Sequence, residues 1–380
     1  PTGTWMKQAG ETVTLTAQGA EERKFLGFWV NGELVPQGEK TYVFTVPDGI
    51  YSKPFVLKAA YNTDWYVNPD PAFGKDTNDG WTPQTAKRSL VAAMKGPVPG
   101  DTVHAAIGVY NDGTVADGDS STTKCRVNVP SGVTLLGDDR DATIIQGKAP
   151  TSPDQYGLGA DAVRGVYLCA NAKLKNLTVR KGYTMNGANA SESRGAGVLG
   201  KSTDTCIVED CMIRECRGSR SGGGQYVTFN RCRLIDNYGA STGAAGRNCS
   251  YYNTYIVGCS GNPRSMQETT WFVNSTYDVD ENDAATVRNL FEGGNARIEN
   301  SVFLQPNSIL SSAVTSASNS VFVTGSGISL ASAKCGNVRT NTLEEIALDA
   351  VTRVPTAASC LVDAGNTAMV ERIGDLDCDC

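Results

Sequence analysis

The chain has 380 residues, with 34 Lys and Arg, 40 Asp and Glu, and a single histidine. A net charge of -6 argues against a general nucleic-acid-binding protein, and one histidine argues against a Ser-His-Asp triad or a multi-histidine metal site. No apolar stretch approaches the roughly 18 residues of a membrane helix, so we expect a soluble protein with no membrane-spanning segment. The length predicts two domains or an elongated repeat architecture.

Residues 1–62 contain four short stretches of alternating apolar and polar residues, at 11–17, 24–32, 41–46 and 55–61. This alternation predicts a small antiparallel β domain. The segments VTLTA, YVFTVP and LKAAY, with an aromatic core around Trp29, resemble the bacterial internalin-type B-repeat. The resemblance implies a spacer module of a surface protein and brings no catalytic residues.

Residues 63–380 are predicted to form a second domain that begins with a strand, an Asp- and Gly-rich loop and a cap helix near 86–94. Such a helix would cover the apolar end of a solenoid. The segments PGDTV and SGVTLLGDDRDATIIQG (131–147) resemble the opening of right-handed parallel β-helix proteins of the pectate-lyase-like superfamily. The resemblance implies the fold, but the superfamily spans lyases, hydrolases, epimerases, phage fibres and adhesins.

A repeat of four positions runs through the rest of the chain: a polar corner residue, a small residue, any residue and a large apolar residue. Successive corners are 34, 21, 22, 21, 26 and 19 residues apart. A unit of about 21 residues fits one coil of a parallel β-solenoid, whose equivalent residues stack in columns. The predicted corners are Asn176, Asp210, Arg231, Asn253, Asn274, Asn300 and Asn319, and the predicted inward column is Val179, Ile213, Leu234, Ile256, Tyr277, Phe303 and Phe322.

Glycine and alanine recur before each corner, at 195–197, 222–224 and 243–246. Small residues in these positions indicate either tight packing inside the coil or a flat trough along which an extended ligand could lie.

A basic cluster and the adjoining insertion at 182–201 carry the predicted ligand-binding residues. Loops that project from one edge of a solenoid commonly carry binding specificity, and Tyr183 could stack on a sugar ring. The alternative is a solvated face crossed by ion pairs with Glu209, Glu215 and Asp236. The predicted set is Tyr183, Lys201, Arg214, Arg217, Arg220 and Arg233.

Enzymes of the resembled superfamily would place a Lys or Arg base, or paired carboxylates, on such a face. The motifs of its polygalacturonase-type hydrolases are absent from this sequence, and no residue can be assigned as a base. Glu215 and Asp236 would lie about one strand spacing apart on adjacent coils, which suits either a catalytic pair or ordinary neighbours.

Two oxygen-rich loops could wrap calcium, the one cofactor that the sequence suggests, although a solvated turn is the alternative for both. The first runs from Asp76 to Gly80. The second gives the predicted ligands Asp278, Asp280, Glu281 and Asp283.

The cysteines and the histidine are interpreted as structural. Cys211 and Cys232 share one repeat position, and Cys216 and Cys259 lie two coils apart; a bond between adjacent coils is geometrically open, but all four are predicted to point inward as unbonded thiols. Cys335 and Cys360 are the favoured disulfide candidates. His104 is predicted to be a structural residue of the first coil.

The segment 359–380 resembles the last coil of surface β-helix proteins, stopping before a final strand, which suggests self-association through coil ends. We therefore expect a bacterial extracellular or cell-surface protein with an adhesive, glycan-engaging or structural role, including fibre formation. Its partner would be a polysaccharide or surface glycan. The alternative is a polysaccharide lyase or glycoside hydrolase.

Overall fold

The computed structural model describes residues 7–18, 23–46, 56–116, 118, 123–186, 190–202, 205–261, 264–278, 288–293, 295–304, 308–310, 314–323, 327–328, 335–336 and 339–341.

Two small antiparallel sheets form at the N-terminus, as the alternation predicts. The strands are β1 (Thr12–Thr16), β2 (Phe25–Val30), β3 (Glu33–Pro36), β4 (Thr41–Thr45) and β5 (Leu57–Tyr61). β1 pairs with β4, and β2 pairs with both β3 and β5. β3 was not predicted. It arises because Asn31 and Gly32 both take positive φ, which closes a two-residue hairpin after β2.

Asp101 links this N-terminal region to the first coil. Its buried carboxylate accepts hydrogen bonds from the Arg23 guanidinium at 2.9 Å and from the Trp65 indole nitrogen at 3.1 Å. The backbone nitrogen of Val98 supplies a third donor at 3.0 Å. A buried carboxylate is tolerated when charge-assisted hydrogen bonds satisfy it in this way. The boundary at residues 62 and 63 stays a prediction.

The solenoid opens with strand β6, a 3₁₀ turn and one short helix. These elements are β6 (Asp64–Val67), the 3₁₀ turn Pro83–Thr85 and helix α1 (Leu90–Ala93). The Ser89 hydroxyl accepts a hydrogen bond from the Ala92 nitrogen at 3.1 Å and so caps α1. The predicted cap helix is therefore present but shorter than 86–94, and Leu90 and Ala93 are buried against the core.

The coils follow in regular order. The first strands are β7 (Thr102–Ala105), β8 (Gly108–Tyr110), β9 (Val115–Ala116), β10 (Lys124–Val129), β11 (Thr134–Gly137), β12 (Thr143–Gln146), β13 (Val163–Leu168), β14 (Lys173–Lys175) and β15 (Thr178–Arg180). After the 3₁₀ turn Ala190–Ser193 come β16 (Val198–Gly200), β17 (Ile207–Glu209), β18 (Met212–Arg214), β19 (Arg217–Gly218), β20 (Gly224–Gln225), β21 (Thr228–Asn230), β22 (Arg233–Ile235), β23 (Tyr238–Gly239), β24 (Gly246–Arg247), β25 (Ser250–Tyr252), β26 (Tyr255–Val257) and β27 (Ser260–Gly261). The described chain continues with β28 (Arg264–Gln267), β29 (Trp271–Val273), β30 (Thr276–Tyr277), β31 (Arg288–Glu292), β32 (Ala296–Glu299), β33 (Val302–Phe303), β34 (Ser308–Leu310), β35 (Val314–Ser318), β36 (Val321–Val323), β37 (Gly327–Ile328), β38 (Cys335–Gly336) and β39 (Arg339–Asn341).

These strands form three long sheets and one short sheet, in which successive coils pair in parallel, and β9 adds to the end of one long sheet antiparallel to β10. Face 1 contains β9, β10, β13, β16, β20, β24, β28, β31, β34 and β37; face 2 contains β6, β7, β11, β14, β17, β21, β25, β29, β32, β35 and β38; face 3 contains β8, β12, β15, β18, β22, β26, β30, β33, β36 and β39. Three strands, β19, β23 and β27, form a side sheet between faces 3 and 1. The fold is a right-handed parallel β-helix, the hand that connections between parallel strands adopt.

The predicted corner column is confirmed. Every corner residue from Asn176 to Asn319 has φ between 47° and 55°, a left-handed conformation that asparagine tolerates better than most residues. Arg231 adopts it as well. The Asn176 side-chain amide donates to the Gly137 carbonyl at 2.8 Å, and that of Asn253 donates to the Asn230 side chain at 3.0 Å.

The predicted inward column is also confirmed as a register of paired strands, from Val179 in β15 through to Phe322 in β36. A second inward column on face 2 is aromatic. The rings of Phe229 and Tyr251 lie 5.5 Å apart, and those of Tyr251 and Phe272 lie 5.8 Å apart. From Val179 to Phe303 the first column is buried, and it packs with the second column in one hydrophobic core.

From Asp210 onward, the residue after each corner belongs to a buried column that changes from thiols to hydroxyls along the axis. Cys211 and Cys232 are followed by Thr254, Ser275, Ser301 and Ser320, all at most 2% exposed. Cys211, Cys216, Cys232 and Cys259 are buried free thiols, in agreement with the prediction. The Cys335–Cys360 pair cannot be compared, because Cys360 lies outside the described residues.

Candidate functional site

A row of side chains on the side sheet forms the candidate site. Tyr183 pairs with Arg217, Arg217 pairs with Tyr238, and Tyr238 pairs with Ser260, so four consecutive coils place these residues in one column. The side sheet begins after a second corner, where Glu215 and Asp236 take positive φ. We call Tyr183, Arg217 and Tyr238 the tyrosine–arginine row.

Glycines hold the side sheet against the turn behind it. A β-carbon on Gly218 would lie 2.0 Å from the Ser221 carbonyl oxygen, and one on Gly239 would lie 2.4 Å from the Thr242 carbonyl oxygen. Only glycine permits this backbone approach, since any side chain would force the turn away.

Arg217 is the central residue of the row. Its guanidinium carbon lies 4.8 Å from the centroid of the Tyr238 ring, within cation–π distance. One guanidinium nitrogen donates to the Tyr156 carbonyl at 3.4 Å. The residue is exposed, and no carboxylate lies within ion-pair distance of it in the part of the chain that the structure describes.

Two insertions meet beside the row through Asn186. The Asn186 side-chain amide donates to the Asp154 carboxylate at 2.7 Å, and its oxygen lies 3.3 Å from the Ser219 hydroxyl. Burial raises the pKa of Asp154, but hydrogen bonds from Leu158, Tyr156 and Asn186 outweigh this and lower it. Asp154 therefore stays ionised and ties the loop that carries Tyr156 to the loop after Tyr183.

Tyr183 contributes a half-buried phenol. Burial raises its pKa, and the positive charge of Arg217 opposes part of that rise. The phenol is therefore protonated at neutral pH and can donate a hydrogen bond.

The other predicted ligand-binding residues are distributed around the coil. Lys201 follows β16 at the turn from face 1 to face 2, whereas Arg214 and Arg233 lie on adjacent coils of face 3, where Arg233 pairs with Met212 and Arg214 pairs with Ile235. Arg220 lies in the turn just after β19, where its backbone nitrogen donates to the Ser193 carbonyl at 2.9 Å. The structure thus brings Tyr183 and Arg217 together and separates them from Lys201.

Two further basic residues of this region, Lys175 and Arg231, are neutralised by ion pairs. Arg231 contacts Glu209 at 2.6 Å and Asp210 at 2.7 Å, and Lys175 contacts Glu209 at 3.1 Å. The hydrogen bond with Asp210 is the largest of the causes that raise the pKa of Arg231. This part of the cluster matches the alternative interpretation, a solvated face crossed by ion pairs.

Glu215 and Asp236 occupy equivalent corners of adjacent coils, as predicted. The Glu215 carboxylate is bound by the Arg214 guanidinium, over 2.9 Å from Nε, and lies 3.8 Å from the Lys181 ammonium. These contacts make Glu215 an ion-pair partner of Arg214 and Lys181, which matches the interpretation as an ordinary neighbour of Asp236.

The glycine-rich segments before the corners are packed inside the coil. Ala196, Ala244 and Ala245 are fully buried, and a β-carbon on Gly197 would lie 2.4 Å from the Gly223 carbonyl oxygen. They therefore correspond to the packing interpretation and leave no trough.

The calcium prediction is only partly covered. Asp278 is buried and accepts a hydrogen bond from the Tyr255 hydroxyl at 2.6 Å, while Asp280, Glu281 and Asp283 lie outside the described residues. Within the described ranges, no three His, Cys, Asp or Glu side chains gather as a metal site would require. In the Asp76–Gly80 loop, the Lys87 ammonium donates to the carbonyls of Asp76 and Asn78. A protein cation therefore already contacts two of the oxygens that could have bound calcium.

His104 packs within the first coils. Its Nε2 lies 2.7 Å from the Asp64 carboxylate, and its ring stacks on Tyr66 at 5.0 Å.

Tyr238 and Tyr156 were missed by the sequence argument. A signal for Tyr238 existed, because positions 183, 217 and 238 repeat the spacing of the corners 176, 210 and 231. Tyr156 had none, since its loop lies outside the repeat.

No family model matches the sequence, and the search of curated proteins returns no match. Solved structures resemble the fold. A rhamnogalacturonan lyase aligns with a TM-score of 0.43 at 12% identity, covering 82% of this chain and 99% of its own. A pectate lyase aligns with a TM-score of 0.40 at 15% identity, covering 74% and 77%. A pectin methylesterase from Erwinia chrysanthemi aligns with a TM-score of 0.36 at 12% identity, covering 78% and 99%.

Among the described elements, no helix has the length and apolar character to span a bilayer.

Proposed function

We propose that this β-helix binds an acidic polysaccharide, and that the tyrosine–arginine row is its binding surface. The observation that carries the proposal is the position of Arg217, an exposed guanidinium without a carboxylate partner among the described residues, stacked against Tyr238 and in register with Tyr183.

The chemistry of the row suits a chain of uronate residues. A guanidinium presents paired N–H donors that match a carboxylate, and stacking on Tyr238 restricts its orientation. The tyrosines offer apolar rings with hydroxyl tips, which can contact the C–H face of a sugar and hydrogen-bond its hydroxyl groups. Coils stack at about 4.8 Å, so a polymer lying along the column would meet consecutive members of the row.

The biological setting is part of the same proposal. The resemblance of residues 1–62 to a surface-protein spacer supports an extracellular or cell-surface location and an adhesive or structural role. Self-association through coil ends, including fibre formation, remains a separate proposal from the sequence, because residues 342–380 lie outside the described residues.

Titration calorimetry of the full chain with polygalacturonate and alginate tests the binding proposal. We expect Arg217→Ala to weaken binding about tenfold or more, because a charge-assisted hydrogen bond contributes roughly 1.5–3 kcal/mol. The affinity of Arg217→Lys should lie between those of wild type and Arg217→Ala, since an ammonium keeps the positive charge but lacks the planar pair of N–H donors. Arg88→Ala, which removes an exposed arginine paired with Asp112, is the matched control. Unchanged binding by Arg217→Ala would refute the assignment.

The same samples distinguish binding from turnover. Shortened or unsaturated oligosaccharides that accumulate with wild-type protein but not with Arg217→Ala would identify a polysaccharide lyase or hydrolase. Binding without product formation supports the adhesive role.

A further inference from the structure

A surface depression lies on face 2, about four coils from Tyr183, the first member of the tyrosine–arginine row. It occupies the outer surface of β29, β32 and β35, where Trp271 pairs with Arg297, Arg297 with Ser316, and Glu299 with Ser318. Its volume is about 420 Å³, within the range of roughly 300–1,000 Å³ typical of small-ligand sites. We call it the face-2 groove; it is lined by Trp271, Arg297, Glu299, Thr315, Ser316 and Ser318.

Strand alternation sets the groove's composition. Ile298 points inward and is 1% exposed, so its neighbours Arg297 and Glu299 both face outward on one strand. The Arg297 guanidinium carbon lies 4.9 Å from the centroid of the Trp271 ring. Stacking on the indole therefore positions the guanidinium while leaving its N–H edge for a ligand.

The polar groups of the groove both donate and accept hydrogen bonds. Arg297 only donates, the Glu299 carboxylate only accepts, and the hydroxyls of Ser316 and Ser318 do either. The Thr315 hydroxyl donates to the Ala296 carbonyl at 3.1 Å and can still accept. The two charges offset each other, so the groove favours an uncharged ligand, whereas Glu299 would repel a carboxylate. A ligand that suits it is compact, carries neighbouring hydroxyl groups and has an apolar face for the indole.

We propose that the face-2 groove binds a neutral hexopyranose residue of a polysaccharide. Vicinal hydroxyls of such a sugar can accept from Arg297 while donating to Glu299, and its C–H face can pack on Trp271. This site differs from the tyrosine–arginine row in face, in coils and in net charge, and it does not depend on the row being correct.

Binding of the full chain to four neutral hexasaccharides, derived from cellulose, xylan, mannan and β-1,4-galactan, tests the proposal by calorimetry and by tryptophan fluorescence. The xylan oligomer tests whether the ring's exocyclic hydroxymethyl group is needed. We expect at least one hexose oligomer to bind. Glu299→Gln, which preserves shape, should weaken binding about tenfold, and Trp271→Phe should weaken it and remove the fluorescence change. Arg217→Ala serves as the control and should leave neutral-sugar binding unchanged. Circular dichroism confirms that each variant is folded.

The proposal is overturned if no neutral hexose oligomer binds, or if Glu299→Gln and Trp271→Phe leave binding unchanged. Loss of neutral-sugar binding in Arg217→Ala would place the sugar at the row and also overturn it. Failure of polygalacturonate binding with intact neutral-sugar binding would refute the proposed function alone.

Discussion

The backbone nitrogen of Thr254 donates a hydrogen bond to the hydroxyl of Ser275 on the next coil, over 3.0 Å. The same hydroxyl donates to the Val273 carbonyl at 2.8 Å. The relationship recurs one coil later between the Ser275 nitrogen and the Ser301 hydroxyl, at 3.2 Å. Side chains in this buried column thus complete the hydrogen bonding of backbone groups at the tight corner.

Ser275→Ala should destabilise the protein by about 1–3 kcal/mol, because it leaves the buried Thr254 N–H without an acceptor. Denaturant unfolding followed by circular dichroism measures the change. Ser275→Cys is the matched control: Cys211 and Cys232 occupy the same column, so a thiol should be tolerated better than the methyl group. Equal losses for the two variants would contradict the role assigned to the hydroxyl.

Asn253→Ala should lower the free energy of unfolding by about 1–3 kcal/mol. The corner has φ of 50°, which costs an alanine about 1–2 kcal/mol, and the hydrogen bond to Asn230 is also lost. Asn253→Gly removes the same hydrogen bond but accepts the backbone conformation freely. It should therefore be the more stable of the two variants, and the reverse order in thermal or denaturant unfolding would contradict the strain argument.

The inward thiols should resist alkylation in the folded protein. Burial raises the pKa of Cys216, Cys232 and Cys249 to about 12, so almost no thiolate exists at pH 8. Iodoacetamide labelling followed by peptide mass spectrometry should modify these residues only after denaturation. Rapid modification of the native protein at Cys232 would show that the column opens to solvent.

Glu268 should contribute to stability at neutral pH and lose that contribution in acid. A hydrogen bond from Arg247 lowers its pKa below the usual 4.5, with burial opposing and Asn248 assisting. A carboxyl whose folded pKa is depressed stabilises the fold above its unfolded pKa, and this stabilisation disappears as pH falls through the folded value. Glu268→Gln should therefore be less stable than wild type at pH 7, by about 0.5 kcal/mol for a partly exposed pair.

That difference should shrink below pH 4, and unfolding curves recorded between pH 3 and pH 7 would measure it. A difference that stays constant across this range would show that the charge of Glu268 is not involved.

The coil repeat could be predicted from the sequence because one corner requires a left-handed residue and asparagine recurs there. The corner between faces 1 and 2 was not predicted, although its residues have the same left-handed conformation. It is occupied by Tyr226, Asn248, Glu268 and Gly293, whose side chains share no pattern. Both corners therefore adopt the same left-handed backbone conformation, but only one of them shows a recurring residue type in the sequence.

The candidate site was harder to predict, because position along the chain does not determine position around the coil. Lys201 and Arg214 are only 13 residues apart, yet they lie at different turns of the same coil. Which basic residues lacked acidic partners depended on contacts between coils, such as that of Arg231 with Glu209. The insertion at 182–201 separates Tyr183 from Arg217 by 34 residues instead of about 21, so the sequence spacing does not show that they pair.

The short side sheet extends over three coils of the described chain, so the tyrosine–arginine row marks one location on a long rod. Under the proposed function, a repetitive polymer would offer many equivalent contact points, but each molecule would contact the polymer through one row. Firm retention on such a polymer would then come from holding several rods together, since linked sites rebind faster than they separate. Under the proposed function, the number of linked copies would therefore govern attachment more than the affinity of any single molecule.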